Sequence, residues 1–285
     1  MSERNPDAPR SLSTGLLVGI FLITASGLAF EVALTRAFSV LLRYHFVFLA
    51  ISLATCGIGI GGLIDYLLAR RSPGGVDCLV RRGLALAVIY PFSVYLLFAT
   101  PLSARLTSVW VVSGICILPF LMSGLLLSRA FALHSSQSGR LYFADLAGAA
   151  IGSFGVIAVL QLAGAINAAL ACGVLAAAGA AAIGLGARRL GVGGAGLALA
   201  AALGVLLGLN MSLRVVDLPL MPLHQDPFAK PLYQELADPN IKARIVTSEW
   251  NAFARTDVVW FADPEGEFDP LEDLDIYTDG EVPTN

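Results

Sequence analysis

The chain has 285 residues, of which 56% are hydrophobic and 14% charged, well below the roughly 25% charged of soluble domains. Its mean hydropathy of +0.76 excludes an ordinary soluble enzyme. Residues 1–210 hold 13 Arg, no Lys and 6 acids, a net +7, whereas the last 75 hold 5 basic and 15 acidic residues, a net −10; no nucleic-acid partner is expected.

Arg4 and Arg10 precede a first apolar stretch, Leu16 to Phe30, that is longer than the core of a secretory signal, and Thr24-Ala25-Ser26 makes a poor cleavage site. An uncleaved span is therefore expected. About 20 apolar residues cross the hydrocarbon layer as a helix. Seven runs qualify, at 13–34, 45–69, 83–102, 107–132, 142–163, 166–187 and 190–210. Lipid offers backbone groups no partner, so these runs must be helical. Pro91 and Pro119 fall inside spans three and four and predict kinks there. Gly164-Ala165, between Gln161 and Asn167, predicts a tight turn joining spans five and six.

Ten arginines fall on one side of these spans, at 4, 10, 70, 71, 81, 82, 129, 140, 188 and 189, against three on the other, Arg36, Arg43 and Arg105. That asymmetry places the N-terminus in the cytoplasm and, after seven crossings, the tail outside. The lipid bilayer is the first partner implied, and a bacterial inner membrane the expected location.

Small residues recur at four-residue spacing: Gly57 and Gly61; Ala144, Gly148 and Gly152; Gly204 and Gly208. Each set lines one helix face and predicts close helix–helix approach. The run Gly57–Gly62 has no preceding strand and no lysine, so it reads as packing rather than a phosphate loop.

Ionisable residues at membrane depth are functional candidates. They are Glu31 and Arg36 of span one, Asp65 of span two and Asp145 of span five. Interfacial pairing is expected for each acid: Glu31 with Arg36 and Arg43, Asp65 with Arg70 and Arg71, Asp145 with Arg129 and Arg140. Cys56, Cys78, Cys116 and Cys172 form no CxxC pair, and neither His45 nor His134 has a second ligand at metal spacing, so no metal site is expected.

Past the transmembrane domain (1–210), residues 211–241 carry Pro219, Pro222, Pro227, Pro231 and Pro239, which reads as a linker with a short helix near Leu232–Ala237. The tail, 242–285, turns to strands: Ala243–Thr247, Phe253–Phe261 and Leu274–Tyr277, with turns at Asp263-Pro264-Glu265-Gly266 and Asp279-Gly280. The fold class expected is a polytopic α-helical membrane protein of about seven transmembrane helices, followed by a small, incomplete β-meander. Three or four short strands need a covering layer.

Several stretches together resemble the membrane-fused members of the spermidine synthase-like (polyamine aminopropyltransferase) family. They are Gly27–Arg36 in span one, Gly57–Gly62 in span two, Tyr142–Gly152 in span five, and in the tail Ser248–Val258 and Ile276–Gly280. The resemblance implies an aminopropyl transfer from decarboxylated S-adenosylmethionine to a polyamine. It places that chemistry in a Rossmann-like catalytic fold, which holds the nucleoside and supplies an Asp base to the attacking amine. Such a site must align a neutral amine with the sulfonium carbon and remove a proton.

None of those parts is visible up to Asn285. The resemblance therefore implies an N-terminal portion with no catalytic residue and no cofactor of its own. Its tail matches the small β-domain that precedes the catalytic fold, and Asn251 stands where the family has a glutamine that contacts the cofactor. The expected function is a membrane-anchoring portion, inactive alone, whose sheet pairs with a missing catalytic domain or partner subunit. The alternatives are an accessory subunit of a membrane complex and a transporter of small cations such as polyamines. The family's chemistry expects a cytoplasmic catalytic domain, whereas the charge count puts the tail outside.

Overall fold

The computed structural model describes residues 12–41, 47–70, 74–99, 106–213, 230–236, 238–251, 254–261, 274–281 and 283–284. Among the described residues six helices are long and apolar enough to cross a membrane. They are α1 (Thr14–Leu41), α2 (Val47–Ala69), α3 (Val76–Ala99), α4 (Leu106–Leu133), α5 (Ser138–Gly186) and α6 (Leu190–Leu213).

The fifth and sixth runs expected from the sequence both lie in α5, and the turn expected between them falls at a break within it. This helix is interrupted at Gly164, whose φ of 76° and ψ of 178° are non-helical. A positive φ costs glycine little, since it has no Cβ to clash.

Contacts along α1 reveal the path of α5. Before the break, Gly148 packs on Phe21 and Gly152 on Ala25, so this half runs parallel to α1. After it, Gly179 packs on Gly19 and Gly186 on Gly15, so the second half runs antiparallel. The chain doubles back at Gly164, and each half is about 33–39 Å long at 1.5 Å per residue.

Glycine sets how close these helices come. A Cβ on Gly148 would collide with the carbonyl of Phe21, and one on Gly152 with that of Ala25. Between α2 and α4 the fit is mutual: Gly61 lies against the Leu121 carbonyl and Gly124 against that of Ile58. A Cβ on Gly57 would stand 2.7 Å from the Phe120 Cβ. In lipid, where apolar side chains gain little from leaving the solvent, such backbone contact is what drives association.

Gly204 and Gly208 differ from the expectation, since nothing lies within 4 Å of a Cβ at either. On α6 the buried positions are Gly193, Gly196, Leu203 and Asn210. At about 100° per residue, Gly204 and Gly208 turn away from that line. The glycines that seat α6 are Gly193 and Gly196, whose Cβ atoms would stand 2.9 Å from the Leu185 amide and 2.7 Å from that of Ala181.

Pro91 and Pro119 lie inside α3 and α4, each assigned as one helix. Pro91 has no N–H for the carbonyl four residues back, that of Ala87. Gly173 of α5 approaches that same carbonyl; a Cβ there would sit 2.6 Å from it. At the centre of the bundle Phe30 packs between Tyr90 and Phe120, with ring centroids 4.7 and 5.8 Å away.

Beyond the bundle come a short helix α7 (Pro231–Glu235) and an antiparallel meander β1-β2-β3-β4: β1 (Ala243–Trp250), β2 (Arg255–Phe261), β3 (Leu274–Thr278) and the two-residue β4 (Pro283–Thr284). Three strands therefore carry the sheet. Asp279 and Gly280, with φ of 52° and 74°, make the left-handed turn expected there. The Asp263–Gly266 turn lies outside the described residues. The layer the sheet needs is α7, with Leu232 packed on Val259 and Tyr277.

Gly152→Leu is expected to lower bundle stability by roughly 1–3 kcal/mol or more through overpacking, whereas Gly208→Leu leaves it unchanged. Unfolding titrations of both variants in mild detergent check this pair.

Candidate functional site: the junction between helices and sheet

The candidate residues named from the sequence do not converge on one site. Asp65 is 1% exposed at one end of the bundle. Its partners differ from the expected Arg70 and Arg71. Arg82 of α3 reaches Oδ1 at 2.6 Å, and Arg129 of α4 reaches the same oxygen at 3.0 Å. Arg129 also donates to the Asp65 carbonyl at 3.4 Å, and Arg82 to that of Leu125.

The reason is helical geometry. Five residues turn a helix by about 140°, so Arg70 faces away from Asp65. It lies over the ring of Tyr66 instead, at 5.1 Å. Arg71 lies outside the described residues. Two guanidiniums on one carboxylate tie three helices together, in a cluster that reads as structural.

Arg129 is thereby unavailable to Asp145, and Arg140 is again five residues away on the helix. The carboxylates of Asp145 and Glu31 have no ion pair among the described residues. Asp145 holds α1 through its backbone, because its carbonyl accepts from the Thr24 hydroxyl at 3.0 Å. Arg36 is half-buried on α1, and Arg43 lies outside the described residues.

The largest concentration of polar contacts lies at the other end of the bundle, where the sheet meets α1. Lys230, at the start of α7, is 5% exposed. Its ammonium donates to the Ser39 carbonyl of α1 and, at 2.5 Å, to the Asp279 carbonyl of the sheet, with Glu281 at 3.7 Å. Ser39 in turn donates its hydroxyl to Asp279 Oδ2 at 2.5 Å. The other oxygen, Oδ1, accepts from the Arg255 amide at 2.7 Å. Arg255 is anchored by Asp257, at 2.8 Å, and by the Ser248 hydroxyl, at 3.0 Å. One chain of hydrogen bonds thus runs from α1 through Asp279 into β2 and β1.

Two phenols complete the junction. Tyr233 donates to the Val40 carbonyl at 3.4 Å, and Tyr277 donates to Glu235. Burial raises the pKa of the Tyr233 phenol above its ordinary value. Burial, followed by the Glu235 carboxylate, does the same to Tyr277. Both remain neutral donors at physiological pH.

Beside this lock lies a cleft of about 880 Å³, between the α5 break, the end of α6 and β1. Gln161, Asn167 and Asn210 line one wall, and Ser248, Trp250 and Asn251 belong to the other. Gly164 lies next to the Trp250 indole, where a Cβ would stand 3.4 Å from its nitrogen, so the α5 break and β1 meet at the cleft. Asn251 lines the cleft, but its side-chain oxygen accepts the Ala254 backbone N–H at 2.7 Å, and its backbone N–H donates to the Ala254 carbonyl at 2.9 Å. It closes the β1–β2 turn.

Sequence reasoning missed Lys230 and Asp279. The signal available was a lone lysine in a proline-rich stretch and a left-handed aspartate in a turn. Among the described residues no group of His, Cys, Asp and Glu could hold a metal. Comparison with protein-family models, with curated proteins and with solved structures finds no match for this chain.

Asp65→Asn leaves two buried guanidiniums without their counter-charge and is expected to cost roughly 3–5 kcal/mol, against within about 0.5 kcal/mol for Arg70→Gln; thermal unfolding in detergent separates the two.

Lys230→Met removes charged hydrogen bonds worth about 1.5–3 kcal/mol each, and is expected to speed proteolytic release of the sheet while α1–α6 stay folded. In the unaltered chain the phenols' contribution is complete below about pH 10, the ordinary tyrosine value. It is lost as pH rises above that, because the folded state holds those protons more tightly. Release rates measured across alkaline pH check the sign.

Proposed function

We propose that this chain is the membrane-anchoring portion of a spermidine synthase-like protein, a helical platform that holds a small β-sheet at one membrane face and performs no aminopropyl transfer alone. The observation that carries this reading is the lock of Lys230 and Asp279 onto Ser39. A sheet on a free tether needs no buried lysine bridging it to a transmembrane helix. A sheet that must present a fixed surface to a further domain or subunit does.

Topology belongs to the same proposal. The N-terminal end of α1 packs at Gly186, and its C-terminal end meets the sheet, so α1's start and the sheet lie at opposite ends of the bundle. That arrangement supports an odd number of crossings, with the reversal at Gly164 dividing the fifth from the sixth of seven. The arginine asymmetry supports an extracytoplasmic position for the sheet. Asp65, held by two arginines, weighs against a cation route through that residue. The accessory-subunit reading keeps one specific support: Val246 and Ile276 of the sheet are 54% and 41% exposed.

Two measurements test the proposal. Purified chain in nanodiscs, given decarboxylated S-adenosylmethionine and putrescine, is expected to yield no spermidine; product formation overturns the anchoring role. In a cysteine-free background, Thr278→Cys is expected to react with an impermeant maleimide from the outer face of intact cells, and Arg188→Cys only after permeabilisation. The opposite pattern overturns the topology.

A further inference from the structure

The cleft beside the lock has a composition that selects among ligands. An unbroken run of residues, Ile245–Asn251, lines it. Alternate residues of a strand point to opposite faces, so such a run turns the strand's backbone edge, rather than one face, toward the cleft. β1 is the end strand of the sheet, and an end strand presents alternating amide donors and carbonyl acceptors.

The facing wall supplies carboxamides, each both donor and acceptor. Asn210 donates to Asn167 at 2.9 Å, and Asn167 to the Ala163 carbonyl at 2.8 Å, which holds that wall rigid. Gln161 and Thr247 are exposed in the cleft, and their side chains make no hydrogen bond among the described residues.

Charge narrows the choice. Arg255 lines the cleft, but Asp257 neutralises it at 2.8 Å. The other charged residue among the described lining residues is Glu249. Among the described residues of the lining, a phosphate or carboxylate finds no uncompensated cation. Leu162 and Met211, at the ends of membrane helices, line the same cleft and are 81% and 50% exposed.

We infer that the cleft binds the uncharged, hydroxyl-rich head of a membrane amphiphile, such as a glycosyl lipid, with its alkyl chain along Leu162 and Met211. Hydroxyls donate and accept alike, which matches carboxamides, a strand edge and an accepting carboxylate at once.

The test uses the full chain in phosphatidylcholine nanodiscs with Trp110→Phe and Trp260→Phe, so that emission reports Trp250 in the cleft wall. Glucosyl diacylglycerol in the disc is expected to shift that emission, and free maltose at matched concentration is not. Gln161→Leu with Thr247→Val is expected to weaken binding roughly tenfold, the loss of one or two neutral hydrogen bonds. Both positions are exposed, and Gln161→Leu alone serves if the pair misfolds.

An equal response to maltose overturns the amphiphile in favour of a free saccharide. A glucosyl-lipid response that the variants do not alter overturns the site. So does a response to phosphatidylglycerol or spermidine without one to the glucosyl lipid.

Discussion

Lipid gives a helix neither a hydrogen-bond partner nor a reason to bury one apolar side chain against another, so the bundle rests on backbone-to-backbone contact. Glycine supplies it at each main interface: Gly148 and Gly152 on α1, Gly57, Gly61 and Gly124 between α2 and α4, Gly193 and Gly196 between α6 and α5. Dispersion between closely packed backbones replaces the drive that water gives a soluble core. The reversal at Gly164 follows from the same constraint. Its two halves can both lie along α1 because α1 offers small residues on two sides, Gly15 and Gly19 to one half and Ala25 to the other.

Hydropathy made the bundle legible because the signal is long and one-dimensional: every expected span overlaps a helix in the structure. The reversal at Gly164 was legible too, because a glycine between Gln161 and Asn167 marks a turn in an otherwise apolar run. Helix partners were half legible. A four-residue spacing tells which glycines share a face but not whether that face meets a helix, which is why Gly61 packs and Gly208 does not. Ion pairs were least legible. Asp65 lies five residues from Arg70 in sequence, yet its partners come from α3 and α4, 17 and 64 positions away. Sequence distance is a poor guide where three helix ends converge.

The junction lies further still from what a sequence can show. Lys230 and Ser39 are 191 positions apart, and neither belongs to a recognisable motif. Their pairing arises because the end of α1, the start of α7 and the β3–β4 turn meet at one point. Asp279 is central there. Its left-handed backbone turns the chain between β3 and β4 and places the carboxylate between the Ser39 hydroxyl and the Arg255 amide. The sequence marked Asp279-Gly280 as a turn on conformational grounds alone. The structure gives the same aspartate a second task, which explains why the turn and the anchor are one feature.

That coupling constrains how the two parts behave together. Asp279 accepts hydrogen bonds from both α1 and β2, and Lys230 donates to both α1 and the β3–β4 turn. A displacement of the C-terminal end of α1 therefore moves the sheet with it, or else breaks buried charged hydrogen bonds. The cleft sits between the same two bodies, with Gly164 against Trp250 at its base. Anything seated in it touches the α5 reversal and β1 at once, and so stiffens a junction that the lock already holds on its other side. The helices, the lock and the cleft thus form one mechanical unit, in which hydrogen bonds to the C-terminal end of α1 hold the orientation of the sheet.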